Sequence, residues 1–131
     1  MCYTQHFGMM SLGDYMESQF KKGIIELCIL TLIAHEDMYG YQIIKAFEDI
    51  IDVNDNTVYP ILRRLTLEGY FETYLIPSNE GAARKMYQMT LKGLDHLMIL
   101  RHTWDQFIGG VYQILNREKI MYEHILERIK K

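Results

Sequence analysis

The chain has 131 residues, with 14 Lys and Arg against 17 Asp and Glu, and a formal net charge of −3. That length holds one compact domain with a helical extension, and not two domains. The 49% hydrophobic and 24% charged fractions are those of a globular protein with its own core, which excludes disordered, collagen-like and disulfide-scaffold classes.

Residues 1–13, with Gly8 and Gly13 and no apolar period, read as a loosely ordered lead-in. They have neither a basic nor an apolar region of the kind a secretory signal carries, so none is expected. Asp14, with Glu17 three residues on, resembles a capping box, so a helix is expected from Tyr15 to Ala34. Its apolar side chains form two stripes, Ile24, Leu27, Cys28 and Thr31 beside Ile25, Ile29, Leu32 and Ile33. A helix apolar on two sides needs two partners, its own domain and a second chain. The same run is broken by Glu26 and Thr31 and falls short of the ~20 residues of a membrane span, so no membrane partner is expected and the cytoplasm is the expected compartment. Cys2 and Cys28 do not suggest a disulfide, and Cys28 reads as a small buried hydrophobe.

After the polar break His35-Glu36-Asp37, a second helix is expected over Tyr39 to Ile51, burying Ile43, Ile44, Phe47 and Ile51. A third starts at Thr57 with Asn56 as its N-cap, which puts Pro60 in the first turn. Val58, Ile61, Leu62 and Leu65 make its buried stripe, and Gly69 ends it. Tyr70 to Ile76 is then aromatic and β-branched, Pro77 to Gly81 is loop-like, and Arg84 to Met89 returns, so residues 70–89 form a hairpin. Thr90 caps a long helix reaching about Leu115, followed by a helical piece over Arg117 to Lys131. Its stripe of Leu97, Trp104, Ile108, Val111 and Leu115 is a two-helix packing seam. Gly109-Gly110 marks either a bend or a close helix contact.

Three helices, a hairpin and a long helix make a mainly α fold with a small β-hairpin. It is the order of a winged helix-turn-helix, in which the third helix enters the DNA major groove beside the wing. Three parts are expected: the lead-in 1–13, a winged domain 14–90 and a C-terminal dimerisation helix 91–131. With its stripe buried, the third helix presents Asn56, Tyr59, Pro60, Arg63 and Arg64, groups suited to phosphates and base edges. Arg84 and Lys85 on the wing, and Lys21 and Lys22 near the first helix, are placed to meet flanking phosphates. The charge distribution agrees. Residues 1–56 carry 3 basic and 9 acidic side chains, whereas residues 57–101 carry 6 and 4, so the middle of the chain is locally basic.

The pieces Met38-Tyr39-Gly40-Tyr41, Thr57-Val58-Tyr59-Pro60-Ile61-Leu62-Arg63-Arg64-Leu65 and Arg84-Lys85-Met86-Tyr87-Gln88-Met89-Thr90 resemble the PadR family of bacterial transcriptional regulators in order and spacing. The likeness spans about residues 22–115. It implies a homodimeric winged-helix repressor that releases its operator, a double-stranded DNA site, when a small effector binds. It adds Tyr39 and Thr57 to the DNA-binding set of Asn56, Tyr59, Arg63, Arg64, Arg84 and Lys85. It also implies dimerisation through the last long helix packed on the partner's first helix, and an effector cleft at the dimer centre. In the drug-sensing branch of that family a tryptophan on this helix stacks on flat aromatic ligands, which implies that role for Trp104 with Phe107, Met98 and Ile25 around it, whereas its spacing alone reads as a core aromatic.

Catalysis has no such support. No two of His6, His35, His96, His102 and His124 share a helical face as a zinc pair would, and neither cysteine has a neighbouring Cys. His35-Glu36-Asp37 reads as a solvated turn in preference to a cation site. No phosphate loop or nucleophile elbow is present, so no cofactor and no metal are expected. The competing class is a protein-interaction module on a helical dimer, whose third helix would expose apolar side chains in place of amide, phenol and guanidinium.

Overall fold

The computed structural model describes residues 12–117 and 122–130. In chain order these form α1 (Leu12–His35), β1 (Met38–Tyr39), α2 (Gly40–Phe47), α3 (Asp55–Leu67), β2 (Phe71–Ser78), β3 (Gly81–Met89), α4 (Leu91–Leu115) and α5 (Tyr122–Lys130). The chain divides into two units at Met98 and Ile99, and α4 runs continuously through that division. The lead-in up to residue 11, the junction 118–121 and Lys131 lie outside the described residues, as do the side chains of the expected Asp14–Glu17 capping box and of Lys21.

In the first unit α1, α2, α3 and the sheet share an apolar core, to which β3 also adds Met86 and α4 adds Leu97. From α1 come Ile25, Ile29, Leu30 and Ile33, from α2 Ile43 and Phe47, from α3 Val58, Ile61, Leu62 and Leu65, and from the sheet Phe71 and Tyr87. The expected stripe of α3 is buried as spaced. Of the two stripes on α1, Ile25, Ile29 and Ile33 turn into the core, while Ile24, Leu27, Cys28 and Thr31 stay half-buried on the other side. Cys28 is free, and burial pushes its thiol pKa up.

Several boundaries differ from the sequence expectation. The first helix begins at Leu12, so Asp14 lies inside it; once a helix is nucleated, a glycine such as Gly13 costs only about 1 kcal/mol. Helix α2 is shorter than expected and ends at Phe47, because Asp49 takes a positive φ of 64° and Glu48 an extended ψ of 134°. Asn54, and not Asn56, caps α3, its carboxamide accepting from the Thr57 N–H at 3.2 Å. Asn56 is therefore a first-turn residue, and Pro60 falls in the second turn, where it has no N–H to offer the exposed Asn56 carbonyl.

The end of α3 is as read. Gly69 sits at φ +84°, its N–H bonds to the Thr66 carbonyl, and Tyr70 N–H bonds to the Leu65 carbonyl at 2.9 Å. This is the paired closure that lets a left-handed glycine turn a helix into a following strand. Thr90 caps α4 by accepting from Gly93 N–H at 3.0 Å.

The hairpin gains a third strand. Met38 and Tyr39 pair with Tyr87 and Met86, giving an antiparallel sheet in the order β1-β3-β2. A two-residue strand leaves no period for a sequence reading to detect. Cross-strand partners share a face. Phe71, Thr73, Leu75, Lys85, Tyr87 and Met89 therefore lie on one side, and Glu72, Tyr74, Ile76, Arg84, Met86, Gln88 and Tyr39 on the other.

Candidate nucleic-acid interface

Helical geometry sorts the outer residues of α3. Opposite the buried stripe, Asn56, Pro60, Arg63 and Leu67 form the outward ridge, while Tyr59 and Arg64 lie on its two flanks. Arg63 and Asn56 are exposed, as is Leu67 at 82%, an apolar residue on a face expected to be polar. Thr57 is half-buried, and its hydroxyl joins the Asn54 cap at 3.4 Å, so it fixes the start of the helix.

Tyr59 leans towards α2. A Cβ built on Gly40 would come within 2.5 Å of the Tyr59 ring, so the ring occupies the space that any other residue at position 40 would fill. This close approach couples the Tyr-Gly-Tyr piece to the Thr-x-Tyr-Pro piece and seats the start of α2 on α3. On the sheet side, burial raises the Tyr87 pKa, and Tyr59 and Arg63 are near enough to act on it electrostatically, Arg63 in the opposite sense. Lys85 Nζ stands 5.7 Å from the centre of the Tyr87 ring. Tyr59 and Arg63 on α3 thus lie within electrostatic reach of Tyr87, the ring that Lys85 faces.

On the far face of the same strand, Arg84 lies over the Tyr39 ring at 4.8 Å. Tyr39 stacks with Tyr41 at 6.4 Å, and Lys45 Nζ is 5.6 Å from the Tyr41 ring. Tyr39 also begins α2, its N–H donating to Gln42 Oε1 at 3.1 Å. The basic and aromatic groups therefore form two arms, Arg63–Tyr59–Tyr87–Lys85 and Arg84–Tyr39–Tyr41–Lys45, because adjacent strand residues point to opposite faces.

Arg64 faces inward along the molecule. Its Nη2 donates to Glu26 Oε1 on α1 at 2.9 Å, and its Nη1 lies 3.4 Å from Glu68 Oε1. The hydrogen bond to Glu26 raises its already high pKa. His96 on α4 approaches the same Glu26 oxygen at 4.0 Å and stacks flat on Tyr70 at 4.1 Å. Lys92 Nζ donates to the Glu68 carbonyl at 2.7 Å, completing a polar tie of α3 to α1 and α4.

Sequence reasoning missed Tyr41, Tyr87 and Glu26. Tyr41 and Tyr87 sit inside the quoted motif pieces, whereas nothing local marks Glu26, whose partner is 38 residues away. Of the expected effector residues, Ile25 is 2% exposed and belongs to the core of its own chain, so the structure removes it from any open cleft. Its stripe faces inward because Ile29 and Ile33 share it. Met98 is exposed in the first unit. In the second, Trp104 is half-buried and Phe107 is 66% exposed, three residues apart on α4. Among the described residues no group of three or more His, Cys, Asp and Glu is placed to hold a metal ion, and no helix is long and apolar enough to cross a membrane.

A three-helix core, an outward ridge on α3 bearing Asn56 and Arg63, and a three-stranded wing bearing Arg84 and Lys85 define a winged helix-turn-helix protein. Residues 29–98 match the transcriptional regulator PadR-like family. A PadR-like transcription factor from Bacteroides fragilis is similar in structure at a TM-score of 0.66 with 32% identity, covering 77% of this chain and 99% of the other. A PadR-like transcriptional regulator from Bacillus cereus gives a TM-score of 0.66 with 33% identity, over 74% of this chain and 96% of its own. An uncharacterised protein from Lysinibacillus sphaericus is 28% identical over 93 residues, 68% of this chain and 85% of that protein. The chain belongs to the PadR-like family of transcriptional regulators, a family of DNA-binding regulators and not of enzymes.

Proposed function

We propose that the chain is a homodimeric repressor that binds one operator through α3 and the wing and leaves it when a small planar effector binds near the dimer interface. The exposed Asn56 and Arg63 on the outward ridge of α3, with Arg84 and Lys85 on the wing, carry the DNA part of this reading. Asn56 and Arg63 read base edges, Tyr59 and Lys85 meet the adjoining phosphates, and Arg84 on its Tyr39 seat reaches the flanking backbone. Thr57 and Arg64 serve more through the placement of α3 than through direct contact, since the cap and Glu26 already engage them.

Dimerisation is supported by what one chain leaves uncovered. Ile24, Leu27, Cys28 and Thr31 form a half-buried stripe on α1, and Phe107, Tyr112, Ile114 and Leu115 are exposed on the later part of α4. In this reading residues 14–90 are the DNA-binding part and 91–131 the dimerising part, working in the cytoplasm. Trp104, Phe107 and Met98 are the effector-facing residues. The test is to select genomic fragments on the purified protein and titrate the winners with salt. An affinity that falls steeply with salt and is lost in Arg63→Ala supports the reading; a variant binding as the parent does would overturn the assignment of α3. Planar hydrophobic compounds are expected to quench Trp104 and release the DNA, and a broad panel that does neither removes the effector.

A further inference from the structure

The polar break between α1 and β1 does more than solvate a turn. Asp37 Oδ2 accepts a hydrogen bond from the Tyr74 hydroxyl at 2.6 Å and another from Gln88 Nε2 at 3.3 Å. Tyr74 lies on β2 and Gln88 on β3, so one carboxylate at the entrance to β1 ties all three strands on the sheet face that also carries Tyr39 and Met86. That hydrogen bond to Asp37 also raises the Tyr74 pKa, as expected for a phenol donating to an anion. Elsewhere β1 is held to β3 by only two residue pairs, Met38 with Tyr87 and Tyr39 with Met86. On the same face, two residues along from Asp37, Tyr39 carries Arg84.

We propose that Asp37 is a positioning residue for DNA binding: it fixes the angle of the wing and, through Tyr39, the seat of Arg84. The inference rests on the DNA-binding reading of the wing. Its force comes from a conflict of signs. An acidic side chain near a phosphate-binding wing repels DNA, so on charge alone its removal tightens binding. If Asp37 positions the wing, its removal weakens binding in spite of the lost repulsion.

The experiment compares Asp37→Ala, Tyr74→Phe and the double variant on two duplexes. One is a genomic fragment selected by the parent protein; the other is that fragment trimmed until Arg84→Ala no longer changes affinity, so that the wing has nothing to reach. Asp37→Ala is expected to bind the long duplex roughly threefold to tenfold more weakly and the trimmed one unchanged, about the worth of one ordinary hydrogen bond. Tyr74→Phe is expected to lose less, and the double variant no more than Asp37→Ala alone. Equal or tighter binding of the long duplex, equal losses on both duplexes, or additive losses in the double variant would each overturn the proposal. A second arm needs no DNA. Asp37→Ala is expected to speed amide hydrogen exchange in residues 74–85 and leave α3 unchanged, and exchange at the parent rate in the wing overturns the anchor. A parent protein that binds no duplex would end the DNA reading, while the exchange arm still judges Asp37.

Discussion

In α3, Val58, Ile61, Leu62 and Leu65 are 3% exposed or less, whereas residues 72–85 of the wing are exposed apart from the half-buried Ser78. The helix is seated by buried aliphatic area, which is strong and insensitive to salt and pH. The base of the wing shares the core through Phe71, Met86 and Tyr87, but its outer part, residues 72–85, is held by strand pairing and by a carboxylate, a phenol, an amide and a cation on a ring, contacts that are individually small and depend on charge. The two surfaces proposed to meet DNA are thus held by different forces, and perturbations should separate them.

The largest separation is in stability. Leu62 is fully buried, so Leu62→Ala is expected to cost about 3 kcal/mol, from lost transfer energy and the cavity left behind. Leu75 on the wing is 68% exposed, and Leu75→Ala is expected to stay within about 0.5 kcal/mol. Urea unfolding of the two variants measures both, and a comparable loss in each would mean that the outer wing, like its base, has an apolar seat.

Next comes the pair of adjacent arginines. Arg63→Ala removes a side chain on the outward ridge; it is expected to weaken operator binding by roughly 1–3 kcal/mol if it reads a base, or to lower the salt slope by about 1 if it meets a phosphate. Arg64→Ala breaks the bridge to Glu26, whose partners are 44% and 18% exposed, and its stability cost is expected to be about 1 kcal/mol or less. Any affinity it loses should come without a change of salt slope. A slope that drops for Arg64→Ala and holds for Arg63→Ala would exchange the two roles.

How much of this was legible depended on whether a residue's partner was near in sequence. Val58, Ile61, Leu62 and Leu65 announce a buried stripe by spacing alone, and Gly69 and Thr90 end and begin helices by local rules, so all of these were readable. Asn54 and Asn56 are equally good caps, and the choice falls to Asn54 through its bond to Thr57 in the folded turn, which the sequence leaves open. Asn54→Ala is accordingly expected to cost about 1 kcal/mol and Asn56→Ala little in stability. The tie of Arg64 to Glu26 was not readable because its partner on α1 is distant, and the wing's third strand was invisible for the same reason. Ile25 and Ile24 are neighbours on one helix, and only packing decides which enters the core.

The smallest expected effect concerns the wing alone and is read by titration. Tyr74 donates to the Asp37 carboxylate, and that bond is the main cause of its raised pKa. The folded pKa therefore lies above the unfolded value of about 10, so the contribution to stability is fully present below that pH and is lost as pH rises through the folded value. Tyr74 is one of 10 tyrosines, so its phenolate signal is obtained as the difference between the parent and Tyr74→Phe. The difference titration is expected to lie above that of free tyrosine and to move back towards it in Asp37→Asn, which keeps the shape and removes the charge. As the phenol ionises, it ceases to donate and faces the carboxylate as a second anion, so exchange in β2 and β3 should quicken. Helix α3, seated mainly on aliphatic side chains, should respond less over the same range, its titrating contacts being Lys92 at its C-terminal end and Tyr59 beside Tyr87. Equal loosening of both would show that the wing and the recognition helix share one seat and would erase the distinction between them.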